Sequence, residues 1–349
     1  MDTDSLNRTI TRATEALLHD QKPDGHWIYE LETDAAITAQ YLLYFHYFGE
    51  TPDPILEQNL ANYLRRTQLP TGGWALHTDG PMDIRPSAQA YFALKMAGDP
   101  PDAQHMTLAR DAILRAGRAE AGNVFSRILF ALFGIVAWDA VPMMPVEIIL
   151  LPQWFPFHLS KMSYWARATI VPLLVLCAKR PLARNPRGVR IDEIFITPPS
   201  TVGLLPRRPH QSLGWFTFFR FADAFLRVLD PFSPKFLRQR AIDTAVKFVD
   251  ERLNGEDGLG AAFPPILYSM IMYDVLGNHS SRDIARSALD KLLFNRIDEV
   301  HCQSCLSPVW DTVLAAQALL ETRDQHALTA ARRGLEWLRP RQVLDVHGD

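Results

Sequence analysis

The phrase QKPDGHW, holding Gln21, Gly25 and Trp27, returns 47 residues later as QLPTGGW, holding Gln68, Gly72 and Trp74, so both copies read Q-x3-G-x-W. Each copy is preceded by apolar residues at helical spacing (Ala13, Ala16, Leu17; Leu60, Tyr63, Leu64) and followed by another set (Ile37, Tyr41, Phe45; Ala90, Ala93, Leu94). The repeating unit is therefore a helix, a turn and a helix. A third copy runs through Gly334, Trp337, Leu338 and Gln342 to Gly348 and stops short of its tryptophan. A degenerate one places Leu253 where Gln stands and Leu259 where Trp stands. Gln at a helix C-terminus is expected to bond free carbonyls, Gly to supply the left-handed turn, and Trp to cover the junction. On this reading the motif is a structural staple.

The rest of the chain is equally helical in pattern, with few alternating runs bounded by hairpin turns, which places the protein in the all-α class. With 349 residues and 48% hydrophobic side chains there is ample material for a core and for two domains. A net charge of -3 speaks against a nucleic-acid partner, which calls for clustered excess Lys and Arg. The N-terminal residues are polar and contain no apolar signal segment, so the chain is expected to begin in the cytoplasm. Apolar runs at Ile128–Trp138 and Ala168–Ala178 are about half the length of a membrane span and read as core helices.

Three cysteines, Cys177, Cys302 and Cys305, make no disulfide framework, and His301 with the lone C-x-x-C lacks the second ligand pair of a zinc site. Proline-rich segments at Lys179–Arg190 and Ile196–Ser212 mark long central loops, whose basic residues read as a solvated surface. Between these loops and residue 232 lies SLGWFTFFRFADAFLRVLDPF, in which Thr217, Arg220 and Arg227, with Asp223 beside them, form a narrow polar stripe. Trp215, Phe216, Phe218, Phe219, Phe221 and Phe225 fill the remaining arc, so the helix is either buried on nearly all sides or lies in a lipid interface with Arg reaching headgroups. In SCLSPVWDT, Ser307 is expected as N-cap, Pro308 as first helical residue, and Asp311 in the first turn facing the positive dipole end. Asp311 beside Trp310 equally fits a site that handles cations.

Taken together, the repeats, VPMMPVEIILLP, SYWARATIVPLLVL, GLGAAFPPILYSMIMYDVLG and above all SPVWDT resemble the squalene-hopene cyclases, of the prenyltransferase and squalene-oxidase repeat superfamily, over essentially the whole chain. The resemblance implies an α/α barrel (toroid) built of such repeats with part of a second α/α barrel. Residues 1–33 would give the N-terminal helix of the catalytic barrel, 34–304 an inserted second barrel, and 305–349 the resumption of the first. It implies cyclisation of squalene to hopene or hopanol without metal or cofactor, in a homodimer held in one leaflet on the cytoplasmic side of a membrane. The initiating acid belongs to a D-x-D-D motif that does not occur in these residues. The chain is accordingly expected to be the N-terminal half of such an enzyme and inactive alone.

Within that resemblance Trp165 and Trp310 match cavity aromatics, with core packing as the alternative, and Asp311 matches a carboxylate supporting the acid. Gln40 and Gln89 stand where some members carry Glu, and Asn123 where some carry Arg. These residues tune structure or the terminating water. Phe263 and Pro264 match the end where the last cation is quenched, and Trp215, Phe216, Phe218 and Phe219 match an apolar membrane plateau. Two other functions compete: a non-catalytic lipid-binding or scaffolding α/α module, and a protein prenyltransferase β-subunit, which needs an Asp, Cys, His zinc site.

Overall fold

A computed structural model describes residues 3–207, 211–255 and 257–344. Two compact units emerge, unit 1 from Met1–Leu31 with Cys305–Asp349 and unit 2 from Glu32–Ser304. The described helices begin with α1 (Thr3–Asp20), α2 (Ala35–Tyr47), α3 (Pro54–Arg66), α4 (Ile84–Ala97), α5 (Gln104–Arg115), α6 (Val124–Leu132) and α7 (Tyr164–Lys179). They continue with α8 (Leu213–Leu229), α9 (Lys235–Asp250), α10 (Phe263–Leu276), α11 (His279–Asp290), α12 (Pro308–Thr322) and α13 (Gln325–Leu338). Unit 1 holds α1, α12 and α13; unit 2 holds the rest. Among the described residues strand is limited to two short antiparallel pairs, Trp74–Ala75 with Met82–Asp83 and Leu293–Asn295 with Val300–Cys302.

Unit 2 is layered. Helix α2 buries eleven of its 13 residues whereas α11 buries three of 12, so the first is surrounded and the second is covered along one stripe. Helices α4, α7 and α10 resemble α2 in this respect, and α3, α5 and α9 resemble α11. Inner helices pair with each other (α2 with α4, α7 with α10) and each is backed by an outer one, which is the α/α arrangement. The run Ile128–Trp138 is not one helix. α6 stops at Leu132 and Gly134 turns at φ +64°, leaving Trp138 in a separate single turn.

The two Q-x3-G-x-W turns are built alike. The indole N–H of Trp27 donates to Leu17 O at 2.7 Å, and that of Trp74 to Leu64 O at 2.8 Å, so Trp, not Gln, satisfies a last-turn carbonyl of the preceding helix. Gln21 spans outward, donating to Gly25 O and to Ala330 O of α13, both at 2.8 Å; Gln68 likewise reaches Gly72 O at 2.7 Å and His105 O of α5 at 2.9 Å. The backbone N–H of Trp27 donates to Thr312 of α12 at 3.0 Å, and that of Trp74 to Ser87 of α4 at 2.8 Å. One turn thus ties three helices together. The glycines, at φ +104° and +99°, leave no room for Cβ: at Gly25 it would sit 2.8 Å from Arg333 O, at Gly72 2.2 Å from Leu108 O.

Gly334 has a different use from the one its place in a third copy implies. A Cβ there would lie 2.7 Å from the Trp27 ring, which packs among Ala315, Ala316, Ala327, Ala330 and Ala331 in the core of unit 1. Of the third copy's tail, Gln342 is exposed and Gly348 lies outside the described residues. In the degenerate copy apolar contact replaces hydrogen bonds. Leu259 is fully buried, and a Cβ on Gly258 would meet Ile266 of α10 and Ala288 of α11 at 2.7 and 2.8 Å.

The basic loop after α7 has exposed arginines, as a solvated surface would, but it also serves as a strap. It runs across the C-terminal ends of inner helices. Ala183 N–H donates to Leu132 O (2.6 Å), Arg184 N–H to Tyr47 O (3.0 Å) and Asn185 N–H to His46 O (3.0 Å). The Arg184 guanidinium donates to Phe48 O, and that of Arg187 to Met96 O, each at 2.6 Å, placing cations at negative dipole ends. Arg187 also grips Glu57 at 2.7 and 3.0 Å, and Glu57 accepts from His46 Nε2 at 3.0 Å. His46 is buried with no partner on Nδ1, so the neutral ring donates its single N–H to Glu57.

Two measurements check this architecture. Gly72→Ala is expected to cost at least about 3 kcal/mol in urea unfolding, through backbone overlap and a disfavoured φ. Gly98→Ala, at φ +108° but with no atom within 4 Å of the added Cβ, is expected to cost only about 1 kcal/mol. Burial lowers the His46 pKa below the usual imidazole range against the opposing Glu57 bond, so the unfolded state takes the proton first as pH falls. Stability is then lost from about pH 6.5 downward, by up to about 1.4 kcal/mol per pH unit, and His46→Gln flattens the melting temperature between pH 6.5 and 5.

Candidate functional site

The N-terminal turns of the inner helices of unit 2 open onto one cleft of about 240 Å3. Ala36, Ile37 and Gln40 come from α2, Arg85 and Gln89 from α4, Asn123 and Phe125 from α6, Thr169 from α7, and Pro264 and Tyr268 from α10, with Asp34 at the rim. Five positive dipole ends therefore converge there. Gln40 and Tyr268 form the floor, for their far sides face a void of about 10 Å3 walled by Leu43, Leu129, Leu132, Leu267 and aromatic rings. A continuous hydrogen-bond chain crosses the wall. Gln40 Nε2 donates to Gln89 Oε1 at 2.8 Å, Gln89 Nε2 to Ser126 Oγ at 3.2 Å, and Ser126 Oγ to Asn123 Oδ1 at 3.2 Å. Asn123 is the N-cap of α6 and accepts the Ser126 backbone N–H at 3.0 Å.

Asp34 caps α2, accepting the Ala36 N–H at 2.9 Å. Burial is the main cause that lifts its carboxyl above the usual range, with Arg85 pulling the other way. Four expected residues, Gln40, Gln89, Asn123 and Pro264, thus share one wall. Phe263 does not join them: its ring is fully buried and its backbone N–H is held by Ser304 O at 2.7 Å. Trp165, at the start of α7, is 55% exposed and is not among the cleft-lining residues.

In unit 1, Trp310 is 71% exposed, so neither of the two tryptophans is a core residue. Asp311 is committed locally. Its Oδ2 accepts the Tyr29 backbone N–H at 2.9 Å and its Oδ1 the Ser307 hydroxyl at 3.0 Å. The expected Ser307 cap is consequently not made: the hydroxyl turns to Asp311, and Ser307 caps by position only. With Thr312 on Trp27, Asp311 fastens the start of α12 to residues 27–29.

The apolar residues of helix α8 are not buried by the described residues. Asp223 is its single buried residue, while Phe221 is 78% exposed and Trp215, Phe218, Phe219 and Phe225 are exposed with it; Phe216 is half-buried. The Arg227 end of the polar stripe turns inward. Arg227 pairs with Asp223 at 2.6 Å and donates to Val141 O at 2.8 Å, and Asp223 accepts the Met143 N–H at 2.6 Å, which pins α8 to the segment between α6 and α7. Among the described residues no helix is long and apolar enough to cross a membrane, and no cluster of His, Cys, Asp and Glu is placed to hold a metal. Burial pushes the Cys177 thiol up to about 12, so it offers no thiolate.

An all-α protein of helix-turn-helix repeats, with inner helices backed by outer ones and an amide-bearing cleft at the inner helix ends, has the architecture of the α/α-barrel terpene cyclases. The sequence profile of the squalene-hopene cyclase N-terminal domain matches residues 10–298, and the chain belongs to that family. It is 52% identical over 351 residues to the squalene–hopene cyclase of Bradyrhizobium diazoefficiens, covering 100% of this chain and 53% of that protein. It is 53% identical over 352 residues to a probable squalene–hopene cyclase of Sinorhizobium fredii, covering 100% and 54%. With the squalene–hopene cyclase of Zymomonas mobilis it shares 49% over 358 residues, covering 99% and 53%. The chain spans about half the length of these relatives.

The residues missed from sequence are Asp34, Arg85, Ser126, Thr169 and Tyr268. Asp34 was readable as a cap position and Ser126 as a first-turn residue, but nothing local joins five separate helix starts into one wall. Replacing Asp311 by Ala is expected to cost about 1–2 kcal/mol and to speed hydrogen exchange at the Tyr29 amide about tenfold, with Asn restoring part of both. Unchanged exchange at Tyr29 would show that Asp311 does not hold that strand of chain.

Proposed function

We propose that the chain supplies the N-terminal half of a triterpene cyclase that converts squalene to hopene or hopanol through carbocations. The observation that carries this is 52% identity along its whole length to a protein named squalene–hopene cyclase. An alkene is a very weak base, so the first proton must come from an unusually strong acid in a dry site. That acid is the Asp of a D-x-D-D motif, which these residues do not contain. Trp165 and Trp310 are each assigned to holding cationic carbon against an aromatic face, which gains strength when water is absent. Asp311 supports the acid as a hydrogen-bond acceptor. Gln40, Gln89, Asn123 and Pro264, with Phe263 behind them, shape the end where the last cation loses a proton or meets water.

Squalene is held in lipid, so the enzyme must collect it there. Trp215, Phe216, Phe218 and Phe219 on α8 are assigned to one leaflet on the cytoplasmic side of the membrane, and the full-length protein to a homodimer. The exposure of α8 favours this contact. A lipid-binding module without catalysis is the second reading, for which the exposed aromatic residues of α8 speak.

The chain alone, mixed with squalene in vesicles, is expected to give no hopene by gas chromatography, and to float with the vesicles. Phe218→Ser with Phe219→Ser is expected to weaken flotation at least fivefold. A chimera carrying the C-terminal half of the Bradyrhizobium relative is expected to form hopene. Hopene from the chain alone would overturn the assignment of the acid, and a folded chimera without product would favour the module.

A further inference from the structure

Neutral amides in a cleft wall can face either way, and which atom each presents decides what the cleft can bind. Here the direction is fixed from one end. The backbone N–H of Ser126 can only donate, and it points at Asn123 at 3.0 Å, so the Asn123 atom in that position must be the oxygen. That oxygen also receives the Ser126 hydroxyl at 3.2 Å, which commits the hydroxyl proton. The Ser126 oxygen can then only accept from Gln89, at 3.2 Å, which turns the Gln89 amide nitrogen toward Ser126 and its oxygen toward Gln40. Gln40 must in turn give its amide nitrogen to Gln89, at 2.8 Å. Its carbonyl oxygen is left over. Ser126 is fully buried and Gln89 nearly so, so solvent does not compete for these bonds. Gln40 lines the cleft and its Oε1 has no partner among the described residues.

We propose that Ser126 is a positioning residue: through Gln89 it fixes Gln40 so that a carbonyl acceptor, and not an N–H donor, faces the cleft, where it takes an O–H from water. Resting on the cyclase reading, this water stands at the terminating end with one O–H held by Gln40 and its lone pairs free. Its oxygen then forms a C–O bond to the final cation, and the resulting protonated alcohol passes a proton to a second water. A water that is not held instead takes the proton from the carbon next to the cation, the C–H electron pair becomes the alkene, and the water leaves as hydronium. The polarity of the chain therefore bears on the share of alcohol in the product.

The polarity is tested on this chain with selectively labelled glutamine side chains by NMR. In the wild-type protein the Gln89 amide protons should show contacts to the Ser126 β-protons, and the Gln40 amide protons to the Gln89 side chain. Ser126→Ala should shift the signals of both glutamines, and Ser126→Thr should keep the wild-type pattern. Gln89 amide protons directed at Gln40, or a Gln40 signal indifferent to Ser126→Ala, would overturn the proposal; the wild-type contacts decide it even if the alanine variant does not fold. In the chimera, Ser126→Ala should lower the alcohol-to-alkene ratio at least threefold and Ser126→Thr restore it. Alcohol and alkene falling in parallel would reduce Ser126 to packing. A chimera without any triterpene would remove the cyclase reading and the water's role, leaving the amide polarity to the NMR result.

Discussion

The rest of the structure depends on a tryptophan indole bonded to a carbonyl ten residues before it. The last turn of a helix leaves carbonyls without partners, and burying one unpaired costs roughly 1–3 kcal/mol. Trp27 and Trp74 fill that need from the far side of the turn while contributing a large apolar surface. The glutamine of each motif then has its amide free for a neighbouring helix, and the glycine lets that helix's backbone come within contact distance. The indole N–H, the Gln Nε2 and the Trp backbone N–H make the same bonds in both copies, which is why two copies with different intervening residues give the same geometry.

In unit 2 the inner helices run with their N-terminal turns at one cleft and their C-terminal ends under one strap, which makes the two ends chemically different. At the C-terminal end, carbonyls accumulate and are met by Arg184, Arg187 and the backbone of the strap. At the N-terminal end, the caps Asp34 and Asn123 and the amides Gln40 and Gln89 gather around the cleft. One end is consolidated by cations, and the other is left open with amides beside the capping carboxyl of Asp34 and the guanidinium of Arg85.

The repeat made the helical class, the turns and the buried tryptophans legible, because its spacing and composition carry their own geometry. Gln40, Gln89, Asn123 and Pro264 were individually visible by family resemblance, and the structure brings them to one wall. What stayed hidden depends on contacts far apart in sequence. Arg187 reads as a surface charge until Glu57, 130 residues away, is beside it. Ser126 reads as an ordinary first-turn residue until Gln89 arrives from another helix. The aromatic arc of α8 defeats periodicity for a different reason: the same pattern describes a helix surrounded by protein and one with nothing over it, and only the fold distinguishes them. Asp311, read as a dipole partner, is occupied by the Tyr29 backbone 282 residues back along the chain.

The chain has eight tryptophans, which report on the central bond directly. Native-state hydrogen exchange of their indole N–H groups, followed by NMR, should find Trp27 and Trp74 exchanging only when their units unfold. Trp154, Trp165, Trp215 and Trp310, which are exposed, should exchange orders of magnitude faster. If Trp27 and Trp74 exchanged as fast as these four, the indole-to-carbonyl bond would not be what joins the helices, and the account of both units would fail with it.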